Sequence, residues 1–563
     1  MPEHPYGLLS LLPPLMAITL AIATRRVVLS LLLGVWSGAL LLVAHHPAAY
    51  GAAALPWLQV PLASVGSACR DHLWPALTRE DKLAVYVFTM LMGAMVGVIR
   101  RSGGMLGLVN LVARWARTAR RGQVAGWLLG LVVFFDDYAN TMLLGGTLRP
   151  LFERLRISRE KLAYLVDSTA APVSGLAIVS TWVAAEIDYV HEGLAQLPVD
   201  WNAGELFLRS IPYRFYVLLA LILVPLIAWM GRDLGPMAEA ERRARGHCPD
   251  EPQTAAPEDG RRASHWLNAV IPIAVTVAAI VRFMYRSGVA ALADADPGDR
   301  TLTQIFGNAD AYMSLLWGSL IGLGVAAVLA AVQRLLTGEE IRRAATEGAM
   351  HMTPALAILW LASALSALTG NREPPKPLPA TLGSQPVAAF PADAEFPHQR
   401  QRLYTGDYLG SLLESRVPPW LMPTLVFVIA SLVAFSTGTS WGTMGILMPL
   451  AIGAAYRVLA STGPPEMDHP VMIGSVAGVL AGAIFGDHCS PISDTTVMSS
   501  QACGCSHVDH VRTQLPYAML AGAVSILCGT LPIAFGVSPW LLLPLGVAAM
   551  ALFLRIFGHA VPD

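Results

Sequence analysis

Four short segments of this 563-residue chain place carboxylates, hydroxyls and helix breakers together inside apolar surroundings. The first contains Asp136, Asp137 and Asn140; the second contains Asp167, Ser168, Thr169, Pro172 and Gly175. The third contains Thr437, Gly438 and Thr439; the fourth contains Asp487, Ser490, Pro491, Ser493, Asp494 and Thr495. Carboxylate, hydroxyl and carbonyl oxygens suit a hard cation such as sodium, and a broken helix supplies the carbonyls. A carboxylate at mid-bilayer costs roughly 2.5–3.5 kcal/mol, so it calls for a compensating proton, cation or donor. We read the five aspartates as having no lysine or arginine partner in the apolar segments, which leaves bound cations, protons and hydrogen-bond donors.

The breakers set the local shape. Pro172 cannot donate a backbone hydrogen bond and is expected to unwind its helix, with Ser174-Gly175 behind it. Pro491 does the same after Asp487, and Gly438 favours a non-helical tip. On a helix, Asp136 and Asn140 share one face, and Asp137 and Thr141 another. A carboxylate in a partly desolvated pocket gains protons more readily, and bound sodium opposes this. One group then holds either ion. We assign Asp137 and Asp167 as a first cation/proton pair and Asp487 and Asp494 as a second. Oxygen ligands are expected from Asn140, Ser168, Thr169, Thr437, Thr439, Ser490, Ser493 and Thr495. The only metal expected is sodium, with no transition metal and no cofactor; sodium and protons are the expected cargo, while half-helix N-termini could instead attract an anion, which keeps an organic-acid substrate open.

The segments that carry these groups are apolar. The chain is 54% hydrophobic and 14% charged, against about 25% charge in soluble domains. A transmembrane helix needs about 20 apolar residues. Such runs occur near 7–24, 27–45, 83–99, 162–186, 212–230, 266–285, 312–333, 350–369, 471–498, 514–535 and 538–556. The N-terminus lacks a basic leader region, so its first run is read as a retained span. A net charge of -1 gives no support for nucleic-acid binding. The six scattered cysteines suggest no disulfide framework.

Loop charge orients the spans. Six arginines between 100 and 121, and the basic stretch 149–161, belong in the cytoplasm. The apolar segment 122–148 between them then leaves and returns on one side, as an inward re-entrant hairpin. The acidic stretch 187–210 reads as external. The segment 419–456 becomes an outward hairpin. The predicted fold is an all-α polytopic membrane protein with about eleven transmembrane helices and two re-entrant hairpins, in inverted repeats with discontinuous helices. Its parts are N-terminal scaffold spans (1–82), a first repeat (83–230), a cytoplasmic loop and linking spans (231–349), a second repeat (350–535) and a C-terminal span and tail (536–563).

The stretches Phe-Phe-Asp-Asp-Tyr-Ala-Asn-Thr (134–141), Ser-Arg-Glu-Lys-Leu-Ala-Tyr-Leu-Val-Asp-Ser-Thr-Ala-Ala-Pro (158–172), Phe-Ser-Thr-Gly-Thr-Ser-Trp-Gly-Thr (435–443) and Gly-Asp-His-Cys-Ser-Pro-Ile-Ser-Asp-Thr-Thr (486–496) resemble the NhaC family of sodium/proton antiporters, in the ion-transporter superfamily. The likeness runs from the first span to about 535 and omits the loops 232–264 and 371–400. It implies an elevator-type carrier, a homodimer with scaffold and mobile domains, and coupled sodium and proton movement across the cytoplasmic membrane. Similar relatives handle malate/lactate or amino acids, so coupled transport of an organic acid or amino acid is the alternative.

Enzyme function is not expected. An intramembrane aspartyl protease needs Gly two residues before the glycine preceding Asp487, where this chain has Ile484. His488 is read either as a pH sensor or as a histidine bonded to a neighbour. Cys503, Cys505, His507 and His510 are weighed as a metal site, although Cys-x-Cys lacks zinc-finger spacing. The stretch 113–121 reads as a basic surface helix or as topogenic charge.

Overall fold

A computed structural model describes residues 5–561 except 25, 51–55, 105–106, 108–114, 135, 178–179, 247–264, 294–304, 306–308, 370–401, 406–407, 409–416 and 492. The proline-rich segment 371–400 and part of the arginine-rich stretch 113–121 lie outside the described residues. The protein is almost wholly helical. Ten helices among the described residues are long and apolar enough to cross a membrane, and two bent helix pairs raise the number to twelve. The first run, 7–24, falls short of a full crossing: a 3-10 turn Gly7–Leu11 leads into helix Leu12–Thr24. The one sheet described is a two-residue pairing of Arg232–Asp233 with His559–Ala560.

Both unusual segments form helix pairs. In the first, helix Ala119–Val132 is followed by a short break and helix Asp137–Arg154. In the second, Met422–Thr437 and Ser440–Ala460 meet at Gly438, whose φ of +71° ends the first helix in a left-handed turn. Thr439 then caps the second helix through its side chain. By length and composition both members of this second pair qualify as spans, so the pair is longer than a shallow hairpin requires.

Both spans that follow the helix pairs are broken. Helix Arg159–Thr169 gives way at Ala170 to the short helix Ala171–Leu176, and the chain then re-enters helix at Thr181–Leu194 after a 52° bend. Pro172 occupies the first turn of the short helix, where a missing N–H costs nothing. Gly175, expected to break the helix, sits inside it; the break lies beyond Leu176, and Ser180 caps the restart. In the second broken span, Pro470–Cys489 stops before the Ser490–Ser493 break and resumes as Asp494–Cys503, with Pro491 in the turn.

The charge reading needs correction here. Glu186 and Arg214 close the ends of the runs 162–186 and 212–230, and Arg282 and Arg555 also fall within runs. Arg214 and Glu186 are each 1% exposed and form an ion pair of 2.7 Å. Lys82 donates to Asp188 and Glu192, each at 2.6 Å, in an equally buried site. Asp188 and Glu192 were expected in an external loop. They instead sit on helix Thr181–Leu194, which continues well past 186 and is buried almost throughout. Burial at this depth demands paired charges, and these are paired.

A stripe of glycines at every fourth position, Gly474, Gly478, Gly482 and Gly486, joins helix Pro470–Cys489 to helix Met422–Thr437. A Cβ on Gly478 would lie 2.9 Å from the Pro423 carbonyl oxygen, and one on Gly474 would lie 3.1 Å from the Pro423 ring. Gly482 and Gly486 lie against the carbonyls of Phe427 and Ser431 even more tightly. Small residues at this spacing let helix backbones touch in a membrane. Gly482→Leu must displace the Phe427 backbone, a larger insult than the about 1–3 kcal/mol of ordinary core overpacking. The variant is expected to lose its monodisperse peak in detergent size-exclusion chromatography. Wild-type elution and melting would refute a close-packed stripe.

Candidate cation site

The first helix pair meets the first broken span through two side chains. Asn140 serves three carbonyls with its two amide hydrogens, those of Gly130 (3.0 Å), Val133 (3.1 Å) and Thr169 (3.1 Å), with one hydrogen shared. It thus ties together the ends of both broken helices, a structural use its choice as an oxygen ligand did not anticipate. Its Oδ1 remains buried without a hydrogen-bond partner among the described residues. Asp136 accepts from Thr181 Oγ1 at 3.1 Å. Asp137 begins its helix and is 1% exposed.

The second helix pair meets the second broken span through different residues. Asp487 accepts from both the backbone N–H of Ser440 (2.9 Å) and the Ser440 hydroxyl. Ser490 donates to the Phe435 carbonyl at 2.7 Å, fixing the break against the hairpin tip. Asp494 is the first residue of its half-helix, and its side chain lies outside the described residues.

The first broken span meets the second, and the helix His507–Ser525 that follows it, at Asp167, which is fully buried. Its Oδ2 accepts from Gln514 Nε2 at 2.6 Å and from Thr496 Oγ1 at 3.1 Å. Gln514 also donates to the His488 carbonyl (3.0 Å), and Thr496 also contacts the Asp487 carbonyl (3.4 Å). Asp167 Oδ1 is buried with no hydrogen-bond partner among the described residues. Behind Asp167, the first helix pair packs closely on the first broken span, with Gly130 directly against Thr169.

The other expected ligands are buried nearby in sequence. Ser168 is 2% exposed. Thr169 and Thr437 donate their hydroxyl protons to Leu165 (2.9 Å) and Val433 (2.8 Å) in their own helices. Ser493 and Thr495 bond each other at 3.1 Å, and Thr439 caps its helix. A hydroxyl whose proton is committed keeps lone pairs for a cation. Sequence reasoning missed Gln514, Thr496 and Ser440 as partners of the aspartates. A lone amide in the apolar run 514–535 was the available signal for Gln514.

His488 takes the bonded option: Nδ1 lies 2.8 Å from the Tyr216 hydroxyl. No metal-binding group of three or more His, Cys, Asp or Glu occurs among the described residues, and His510 is committed to Ser500 and Gln514 instead. Arg214 adds an unexpected support, donating to the Gly175 carbonyl (2.5 Å) at the break as well as to Glu186. Six residues before Asp167, Lys161 pairs with the buried Asp233, which also accepts from Tyr517 at 2.7 Å. Glu241, outside the spans, accepts from the Ser158 N–H and hydroxyl. Burial raises its carboxyl pKa above the usual range, with Lys161 opposing the shift.

Residues 175–372 and 401–531 match the Na+/H+ antiporter family. The chain belongs to this family. As an antiporter-family member it is a multi-pass membrane transporter and not an enzyme. An uncharacterized protein of Haemophilus influenzae is 31% identical over 92% of this chain and 89% of its own length. An uncharacterized Na(+)/H(+) antiporter of the same organism is 34% identical over 21% of this chain and 24% of its own. A malate-2H(+)/Na(+)-lactate antiporter of Bacillus subtilis is 28% identical over 22% and 27%. Among solved structures, the YdaH transporter of Alcanivorax borkumensis, described as having an unusual topology, aligns with a TM-score of 0.51 at 14% identity. That alignment covers 86% of this chain and 89% of the other, and bears on the fold of the antiporter alone.

Proposed function

We propose that this antiporter exchanges sodium for protons across the cytoplasmic membrane by alternating access, with Asp167 as the central exchanging group. The carrying observation is the placement of Asp167 where the two broken spans meet, with one oxygen held by Gln514 and Thr496 and the other without a hydrogen-bond partner among the described residues. A carboxylate buried at that depth is costly as a bare anion. A proton or a sodium ion each relieves that cost, and only one fits at a time. Asp137, Asp487 and Asp494 are the further carboxylates of the site. Asp136, Ser168, Thr169, Ser490, Ser493 and Thr495 supply oxygens from the breaks.

Residues 83–230 and 350–535 act as the two inverted repeats, each contributing one helix pair and one broken span, with 1–82 as scaffold. The cytoplasmic placement of 100–121 and 149–161 rests on their arginines. The elevator movement and the homodimer rest on the family resemblance.

A second reading is sodium- or proton-coupled transport of an organic acid or amino acid. Trp182 and Trp441, one from each repeat, pack edge to face with ring centroids 5.7 Å apart. Both indole N–H groups are buried without an acceptor among the described residues, and such donors suit a polar or anionic cargo. The name of the Bacillus subtilis relative points the same way.

The deciding experiment is purified reconstitution into liposomes with an interior pH dye. An imposed pH gradient is expected to drive uphill sodium movement with no added organic solute. Proton flux that stays silent until malate, lactate or an amino acid is supplied would replace the first reading with the second.

A further inference from the structure

Beside the cation site, three side chains form a cluster with one proton too few. Helix His507–Ser525 carries His507, His510 and Gln514, and the facing half-helix Asp494–Cys503 carries Thr496 and Ser500. Gln514 Nε2 faces two acceptors, Asp167 Oδ2 and the His488 carbonyl, so its Oε1 is the atom that accepts from His510 Nε2 at 3.0 Å. His510 therefore carries its hydrogen on Nε2. His507 Nε2 lies 2.6 Å from the Pro491 carbonyl, which only accepts, so His507 carries its hydrogen on Nε2 as well.

Both neutral rings then present a bare Nδ1 to the same hydroxyl. Ser500 Oγ is 2.8 Å from His510 Nδ1, 3.1 Å from His507 Nδ1 and 2.6 Å from the Thr496 carbonyl. A single hydroxyl proton faces three acceptors. One proton added to either Nδ1 removes the deficit between the rings: Ser500 accepts from the imidazolium and donates to the other Nδ1, while the Thr496 carbonyl keeps the backbone bond of its helix. The step moves one proton from hydronium to Nδ1: one N–H bond forms as one O–H bond breaks, and water is left. His507 is half-buried and His510 is fully buried, so the cluster runs from the surface inward.

We propose that His507, Ser500 and His510 form a proton-binding site separate from Asp167, filled from the His507 side. His510 is further a positioning residue that fixes the Gln514 amide against Asp167. The titratable groups facing His510 are Asp167 from helix Arg159–Thr169, His488 from the end of Pro470–Cys489, His507 on its own helix and Cys505 in the preceding loop. Glu160 and Asp509 stand near that loop, and Arg149 and Arg159 reach it, Arg159 donating to the Gly504 carbonyl at 3.2 Å. A proton in the cluster sets a positive charge one amide away from Asp167. It opposes a sodium ion there, and by linkage sodium at Asp167 opposes the proton. This coupling to sodium rests on the sodium–proton reading given above.

Two measurements test the site. The first is histidine-nitrogen NMR of the full-length protein in detergent, across the pH range where imidazole titrates. The rings of His507 and His510 are expected to share one proton uptake, to separate in Ser500→Ala, and to shift their midpoint in Asp167→Asn. Two independent titrations in the wild type, unmoved by Asp167→Asn, overturn the site. The second is the apparent sodium KM against pH in radiolabelled sodium counterflow. Its limiting slope is expected to be about two protons per sodium for the wild type and about one for His510→Gln, which keeps an amide donor toward Gln514 but cannot titrate. His510→Ala, which also releases Gln514, is expected to raise the KM at every pH. An unchanged slope in His510→Gln overturns the coupling. If the wild type shows no sodium counterflow while the shared histidine titration persists, the sodium reading fails and the proton site stands.

Discussion

Asp167→Asn is expected to reduce sodium-dependent proton flux to the level of protein-free liposomes while leaving the protein folded. The amide oxygen of asparagine can still accept from Gln514 and Thr496, so the two broken spans keep their junction. The charge that holds sodium is gone, and so is the group that exchanges it for a proton. Asp487→Asn is expected to act in the same direction, because Asp487 binds the second hairpin tip through Ser440. Flux in reconstituted vesicles, paired with size-exclusion profiles, separates lost exchange from lost folding. Wild-type flux in Asp167→Asn would remove this carboxylate from the transport cycle.

Arg214→Met is expected to be the most damaging single change outside the site. It strands Glu186 as a buried anion and withdraws a donor from the Gly175 carbonyl at the first break. Breaking a buried pair by removing one partner costs about 3–5 kcal/mol, because the remaining charge is uncompensated. The double variant Glu186→Gln/Arg214→Met is expected to recover most of the lost stability, since it leaves no bare charge. Thermal melting monitored by size exclusion reads both effects. A single variant as stable as the wild type would show that the pair contributes nothing to the fold.

The chain discloses its site more readily than its supports. The breaks could be read because proline, glycine and hydroxyl residues interrupt apolar runs, and Gly438 indeed turns the chain with a positive φ. Such signals are local. The partners of the aspartates are long-range: Gln514 lies 347 positions from Asp167, and no spacing rule connects them. The buried ion pairs escaped for a different reason. Glu186, Asp188 and Arg214 sit at the margins of apolar runs, where a charge looks like the start of a loop. Helix Thr181–Leu194 carries its acids inward, because Lys82 and Arg214 wait there to neutralise them. The third misreading was conformational: Gly175 looked like the breaker, but the short helix ends just beyond it.

The glycine row from 474 to 486 has an evolutionary corollary. With backbone resting on backbone, no side chain cushions the seam, and one inserted or deleted residue would turn every glycine below it by about 100° away from its neighbour. Length variation among homologues should therefore be absent between Pro470 and Asp487 and collect in segments such as 371–400. The distance from that seam to Asp487 is set by counting residues, so the carboxylate's depth is inherited along with the row.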